Sequence, residues 1–354
     1  MEVEFQGERF GHERLQVFRD RSTGVIGAIA VHSTTLGPAM GGLRLFAYDG
    51  LEEGIADVLR LARAMSLKNA AAGLDLGGGK AMILDDGEWG DAELRAERMR
   101  VVGEAIETLG GSYITAEDVG TTPVDMDAIG TATRHVAGGT AAGGGSGDPS
   151  PFTARTVLAA IEAGMRLRLG RDSLAGCRVG VQGVGHVGGA LVALLVEAGA
   201  EVFVTDADPG RCLEVAEAAG ATPLPRDGFL LGDFDVLAPC AMGGVIGPSE
   251  ADRLGAVVVA GAANNPLASR EVAARLAARE ILYVPDFIAN AGGIVHVGAE
   301  VLGLTEERTE ALMAAACARP EEILASAERL GEPPVDVAER CARERLAGRI
   351  EVAA

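Results

Sequence analysis

The chain has 354 residues, 48% of them hydrophobic and 23% charged, with a formal net charge of -20 at pH 7. That length exceeds most single hydrophobic cores, so two domains with a cleft between them are expected. The acidic balance argues against nucleic acid or an anionic membrane surface as a partner, and no apolar run reaches the roughly 18 residues that a membrane span requires.

The N-terminus, MEVEFQGERFGHERLQ, is charged from Glu2 and has no apolar export core. Five scattered cysteines form no close pair or ligand cluster, which suits a reducing, cytoplasmic compartment. The five histidines have no compact ligand spacing, so no metal is expected.

Taken in chain order, GVIGAIAVH at 24–32 reads as a strand. From about Glu52 to Leu67, Ile55, Val58, Leu59, Ala62 and Met65 recur at spacings of three and four, which predicts a helix. The following stretch, LKNAAAGLDLGGGK, carries Lys68 and Lys80 on either side of a segment of mostly Ala and Gly, read as a loop leading into the strand KAMIL. A second helix is expected from about Asp91 to Leu109, then the extended run SYITAEDVG, then a brief helix opened by Pro123 with Thr122 as its cap.

The Gly-rich segment 137–151 is the expected domain boundary. Residues 1–136 with about 325–354 form the expected substrate-binding and oligomerisation domain, and 137–324 the nucleotide-binding domain. Ser150 and Pro151 look like the cap and first residue of a helix reaching about Arg168. FDVLAPC, AVVVAGAAN and ILYVPD continue a parallel sheet, and the tail from about Thr305 to Leu346 is helical with a break at 331–334. The expected class is α/β, with a Rossmann-like dinucleotide-binding domain beside an α/β substrate domain completed by C-terminal helices.

Gly183-Val184-Gly185-His186-Val187-Gly188 follows a strand and opens an apolar helix. Glycines there permit a tight turn and close approach of a pyrophosphate, while the helix N-terminus offers oriented N–H groups. Asp206, at the end of the next strand, can bond both ribose hydroxyls and would repel the extra phosphate of NADP, so NAD is the expected cofactor. Small residues at Gly261, Ala262 and Ala263 would let a nicotinamide ribose approach, and the Asn265 amide could bond it.

A lysine ending a helix often only complements the macrodipole, and one opening a strand is often solvated. Their linkage through small residues instead lets a substrate reach both amines. If the two lie close, each disfavours charging the other, so one can grip a carboxylate while the other exchanges protons. Asp118, just after a short strand, is the third candidate, as a proton relay; an ordinary turn aspartate is the plainer reading.

TTLGPAMGGLRL, MSLKNAAAGLDLGGGK, YITAEDVGT, GDPSPFTA, VQGVGHVG, AGAANNP and PDFIANAGG together resemble, in order and content, the glutamate/leucine/phenylalanine/valine dehydrogenase family, and more its leucine, valine and phenylalanine branch. The resemblance implies NAD-linked, reversible oxidative deamination of an L-amino acid to its 2-oxo acid and ammonia, in a self-associating enzyme. It implies that Lys68 holds the substrate carboxylate with the Gly41-Gly42 backbone, that Lys80 is the catalytic lysine activating water, and that Asp118 exchanges a proton with the substrate nitrogen. It places Asn265 at the nicotinamide ribose and Asn290 near nicotinamide and substrate.

By the same resemblance Met40, Ala116, Ile294 and Val297 line the side-chain pocket. None can pair a γ-carboxylate, and an unpaired buried charge costs several kcal/mol, so glutamate is disfavoured and leucine, valine or isoleucine favoured, with phenylalanine or another large apolar amino acid next. His296, His186 and Asp75 depart from the family's usual residues. Two other functions share the nucleotide fold: a 2-hydroxy-acid dehydrogenase, for which the lysine pair gives no reason, and a non-catalytic NAD-binding protein, against which Lys80 and Asp118 speak.

Overall fold

A computed structural model describes residues 2–5, 8–143 and 145–348. The described residues form two compact units. One runs to Asp148 and adds His296–Glu306 and the chain from Ala342; the other comprises Pro149–Val295 and Glu307–Cys341. Compactness therefore divides the chain elsewhere than at the expected 136/137 boundary. Residues 137–148 belong with the first unit because Ala137 N–H bonds the Thr115 carbonyl and Thr140 bonds Asp127. Most of the C-terminal helical segment belongs with the second.

The first unit opens with β1 (Glu2–Phe5) and β2 (Glu8–Gly11), an antiparallel pair. Then come β3 (Arg14–Arg19), β4 (Ile26–Ser33), β5 (Ala39–Phe46), α1 (Leu51–Ala71), β6 (Gly77–Leu84), α2 (Ala92–Glu107), β7 (Tyr113–Glu117) and α3 (Pro123–Gly130). Strands β3 to β7 form one sheet in the order β3-β4-β6-β5-β7. Pleating gives it two apolar faces: Ile29, Leu43, Ala81 and Ile83 pack with Met99, Val102 and Ile106 of α2, and Ala28, Ala30 and Met82 pack with Ile55, Val58, Leu59 and Ala62 of α1. Thr122 caps α3 as expected, in a reciprocal box with Asp125.

The segment between the two lysines is mostly regular structure. α1 continues past Lys68 to Ala71, and β6 begins at Gly77, three residues before Lys80, so only 72–76 connect them. The glycines mark close packing: a Cβ on Gly78 would lie within 2.5 Å of the Ser66 Cα and meet the Ser66 backbone nitrogen. Gly78→Ala is therefore expected to force α1 off the sheet and to destabilise the protein by about 1–3 kcal/mol, read as a lower denaturant midpoint with an unchanged m-value.

The second unit carries α4 (Ser150–Leu169), β8 (Arg178–Gln182), α5 (His186–Glu197), β9 (Glu201–Thr205), α6 (Pro209–Ala219), β10 (Thr222–Pro223), β11 (Val236–Pro239), α7 (Pro248–Ala251), β12 (Val258–Val259), α8 (Arg270–Ala278), β13 (Leu282–Tyr283) and α9 (Asp286–Ala289). α10 (Gly292–Leu302), α11 (Glu306–Leu330) and α12 (Pro334–Leu346) complete the chain. Strands β8 to β13 make one all-parallel sheet in the order β10-β9-β8-β11-β12-β13. Ser150 is the first helical residue of α4 and not its cap, because Pro149 already occupies the cap position.

Candidate active site and family

In the first unit the pleat directs Lys80 to the same side of the sheet as Met82, toward α1. Lys80 is only 5% exposed, and its Nζ lies 2.8 Å from Asp118 Oδ2. The carboxylate is seated there because β5 carries glycine at position 42: a Cβ on Gly42 would come within 2.7 Å of the Asp118 Cβ. Thr121 fixes the turn after β7, its hydroxyl accepting from the Asp118 N–H at 2.9 Å and donating to the Leu43 carbonyl.

Arg44, missed in the sequence reading, joins the pair. Its Nε donates to Asp118 Oδ2 at 2.9 Å, the oxygen that Lys80 also holds, and its other arm reaches Asp57 Oδ2 at 3.0 Å. The Tyr48 hydroxyl donates to the same Asp57 oxygen at 2.7 Å, and Arg60 holds the other. Burial pushes the Lys80 ammonium down, and although Asp118 pulls it back up, Arg44 adds to the lowering and the net displacement is downward. Burial disfavours the Asp118 carboxylate, but Lys80 and Arg44 together outweigh it and hold the group below its usual range. Arg44 is thus a second cation beside Lys80, on the same carboxylate oxygen.

The remaining residues assigned to this unit fall as follows. Lys68 is half-buried in the last turn of α1, and the neighbouring Asn69 amide donates to the Gly77 carbonyl at 2.5 Å. Gly41, Met40 and Ala116 are buried; Met40 lies opposite Gly78 and Ile114, and Gly42 opposite Ala116. Gly41 offers its carbonyl to the Tyr113 hydroxyl at 2.6 Å. Val297, 8% exposed, belongs to the same unit. Asp75 turns to solvent, its side chain 80% exposed and 2.7 Å from Arg345 of α12, whose guanidinium also donates to the Leu74 and Gly73 carbonyls. His296, a second of the three departures, bonds the Ser146 carbonyl at 3.0 Å.

The second unit presents the nucleotide elements. Gly183 has φ +93°, a left-handed turn open to glycine, and its N–H bonds Thr205 at 2.8 Å. Gly185 occupies the N-cap of α5, and a Cβ there would meet nothing within 4 Å, which leaves room for an anion beside the helix N-terminus. Val184 and Gly188 are buried, Val187 is half-buried and His186 is exposed. Asp206 accepts from the Val184 N–H at 2.8 Å through Oδ2, and through Oδ1 from the Asp208 N–H and Arg211.

At the far strand ends Asn290 donates to the Ala262 carbonyl at 3.0 Å and to Asn264 Oδ1 at 2.9 Å. Its own Oδ1 is buried without a partner among the described residues. Asn265 is exposed with φ +49°, its N–H held by Asp286. Ile294, half-buried, belongs to this second unit and not to the one that carries Met40, Ala116 and Val297. An open glycine turn, an acid at the next strand end and an orphaned amide oxygen together fit a nicotinamide dinucleotide. Among the described residues no cluster of three or more His, Cys, Asp or Glu could hold a metal, and no helix is long and apolar enough to cross a membrane.

Comparison with known proteins gives the same frame. The chain is 41% identical over 339 residues to leucine dehydrogenase of Bacillus subtilis, covering 96% of this chain and 92% of that protein. It is 41% identical over 350 residues to valine dehydrogenase of Streptomyces virginiae, covering 97% and 96%. The crystal structure of L-tryptophan dehydrogenase from Nostoc punctiforme superposes with a TM-score of 0.82 at 34% identity, over 96% of this chain and 97% of that one. Residues 12–135 match the Glu/Leu/Phe/Val dehydrogenase dimerisation domain and 208–348 the glutamate/leucine/phenylalanine/valine dehydrogenase domain. The chain thus belongs to the glutamate/leucine/phenylalanine/valine dehydrogenase family, whose members are nicotinamide-dependent amino-acid dehydrogenases.

Proposed function

We propose that the protein catalyses the reversible, NAD-dependent oxidative deamination of an apolar L-amino acid to its 2-oxo acid and ammonia, with leucine, valine or isoleucine preferred. The observation that carries this reading is the pair of buried Lys80 and half-buried Asp118 on the sheet face toward α1, held by Arg44. Lys68 and the Gly41-Gly42 backbone hold the substrate carboxylate. Lys80 cycles between ammonium and amine, taking a proton from the attacking water, and Asp118 exchanges a proton with the substrate nitrogen. The dinucleotide, when bound, supplies the hydride acceptor; Gly183, Val184, Gly185, His186, Val187 and Gly188 seat its pyrophosphate, Asp206 its ribose, and Ala262, Asn265 and Asn290 its nicotinamide end.

Met40, Ala116, Ile294 and Val297 are apolar and support an apolar side chain. The likeness to leucine and valine dehydrogenases favours branched aliphatic substrates, and the likeness to a tryptophan dehydrogenase supports a large aromatic side chain as the second reading. The carboxylate of Asp206 favours NAD over NADP, although Arg211 beside it offsets part of its charge. Self-association is supported by the match to a dimerisation domain.

The test is ammonia-dependent oxidation of NADH and, in parallel, NADPH, across 2-oxo acids that differ in size and charge. The expected result is highest kcat/KM with NADH and the 2-oxo acid of leucine or valine. A preference for 2-oxoglutarate would overturn the pocket assignment, and equal use of NADPH would overturn the role of Asp206.

A further inference from the structure

Lys80 and Asp118 are so placed that neither can change charge without affecting the other. Both are largely withdrawn from water, Lys80 with a side chain 6% exposed and Asp118 22%. A buried carboxylate that loses its only cation is costly, so an isolated pair would tend to keep Lys80 protonated. A lysine that must work as a base needs its partner's charge met by something else.

Arg44 meets it. The guanidinium stays charged at any working pH, and its fork is fixed at both ends, on Asp118 by Nε and on Asp57 by NH1. Asp57 is itself held by the Tyr48 hydroxyl and by Arg60. The charged and titratable groups near the pair include Arg44 from β5, Asp57 and Arg60 from α1, which also carries Lys68 in its last turn, Tyr48 from the loop after β5, and Tyr113 from β7, while β4 sets the apolar Ala30 opposite Lys80. Within the ion-paired network itself, Arg44 and Arg60 balance Asp57 and Asp118, so those four groups carry no net charge when Lys80 is an amine.

Both cations share Oδ2 of Asp118, and among the described residues no hydrogen bond occupies Oδ1.

We propose that Arg44 is a positioning residue that holds Asp118 as a carboxylate, by one oxygen, while Lys80 gives up its proton, so that Lys80 changes charge without stranding a buried anion. This rests on the proton-transfer roles assigned to Lys80 and Asp118 above. In that step a Lys80 N–H bond breaks and its proton passes to solvent; Asp118 and Arg44 keep their charges throughout.

The test is kcat for oxidative deamination as a function of pH in the wild type, Arg44→Met, Arg44→Gln, Arg44→Lys and Lys80→Met. Removing the Arg44 cation favours the Lys80 ammonium, so in Arg44→Met the ascending limb moves alkaline by on the order of one pH unit. Turnover then falls about tenfold on the acid side and recovers at high pH. Arg44→Gln, which can still donate to Asp118, gives the same shift and keeps the test readable if the Met variant is unstable. Arg44→Lys, which retains the charge but can reach only one carboxylate, shifts less.

A limb at the wild-type position in both neutral variants, including one with turnover lowered equally at every pH, would overturn the proposal. Loss of the limb in Lys80→Met, with no shift in the neutral Arg44 variants, would leave the Lys80 assignment standing and sink this inference alone. A limb that persists in Lys80→Met would sink both.

Discussion

Lys80→Met is expected to lower kcat by a factor of about 10²–10⁴, the usual contribution of a positioned acid–base group, while the protein still folds. The two halves of that expectation have separate physical grounds. Activity falls because a thioether cannot take a proton from water. Folding survives because the mutation removes a buried charge without abandoning its partner: Asp118 keeps Arg44 on the same oxygen at 2.9 Å. Truncating one member of an isolated buried pair would instead cost about 3–5 kcal/mol.

The pH dependence of stability supplies the second readout. Burial lowers the Lys80 pKa from its ordinary 10.5 despite Asp118, so between the two values the unfolded chain binds more protons than the folded one. Stability contributed at this position therefore rises with pH toward 10.5, and the penalty is fully present below the lowered folded value. Lys80→Met should flatten that slope in thermal melts taken from neutral to alkaline pH. Wild-type turnover in this variant would remove Lys80 from the chemistry.

What the sequence made legible follows the range of the forces involved. The β8–turn–α5 passage was readable because every part of it is local: a short strand, a glycine that needs φ +93° and an apolar helix within a few residues. The periodicity of Ile55, Val58, Leu59 and Ala62 likewise showed α1, and these residues are its buried face. By contrast, Gly77, Gly78 and Gly79 read as loop because glycine carries no alternating pattern. Their strand identity comes from pairing with β4 and β5, which is non-local.

The charge cluster was hidden for the same reason. Arg44, Asp57 and Asp118 come from a strand, a helix and a turn, and only the packing of α1 on the sheet unites them. One signal was present: Arg44 lies two positions beyond Gly42 on a pleated strand and so shares its face. The Asp75–Arg345 contact joins residues 270 positions apart, and no local pattern announces it.

Asp118→Asn provides the sharper test of how the cluster works, because its two effects run in opposite directions. Turnover is expected to fall by about 10²–10⁴-fold, since a neutral amide cannot relay a proton to the substrate nitrogen. KM for the amino acid should change little, because Lys68 and the Gly41-Gly42 backbone, which hold the substrate carboxylate, are untouched. The amide also leaves Lys80 facing Arg44 with no anion between them. Like charges disfavour the ammonium, so the ascending limb of the residual activity should move to lower pH, opposite to the shift expected when Arg44 is neutralised. A limb moving alkaline in Asp118→Asn would mean that the carboxylate does not stabilise the Lys80 ammonium. The double variant Lys80→Met/Asp118→Asn completes the argument: two groups that pass protons within one event fail together, so it should lose little more than the worse single variant. Losses that multiply would show the two acting in separate steps.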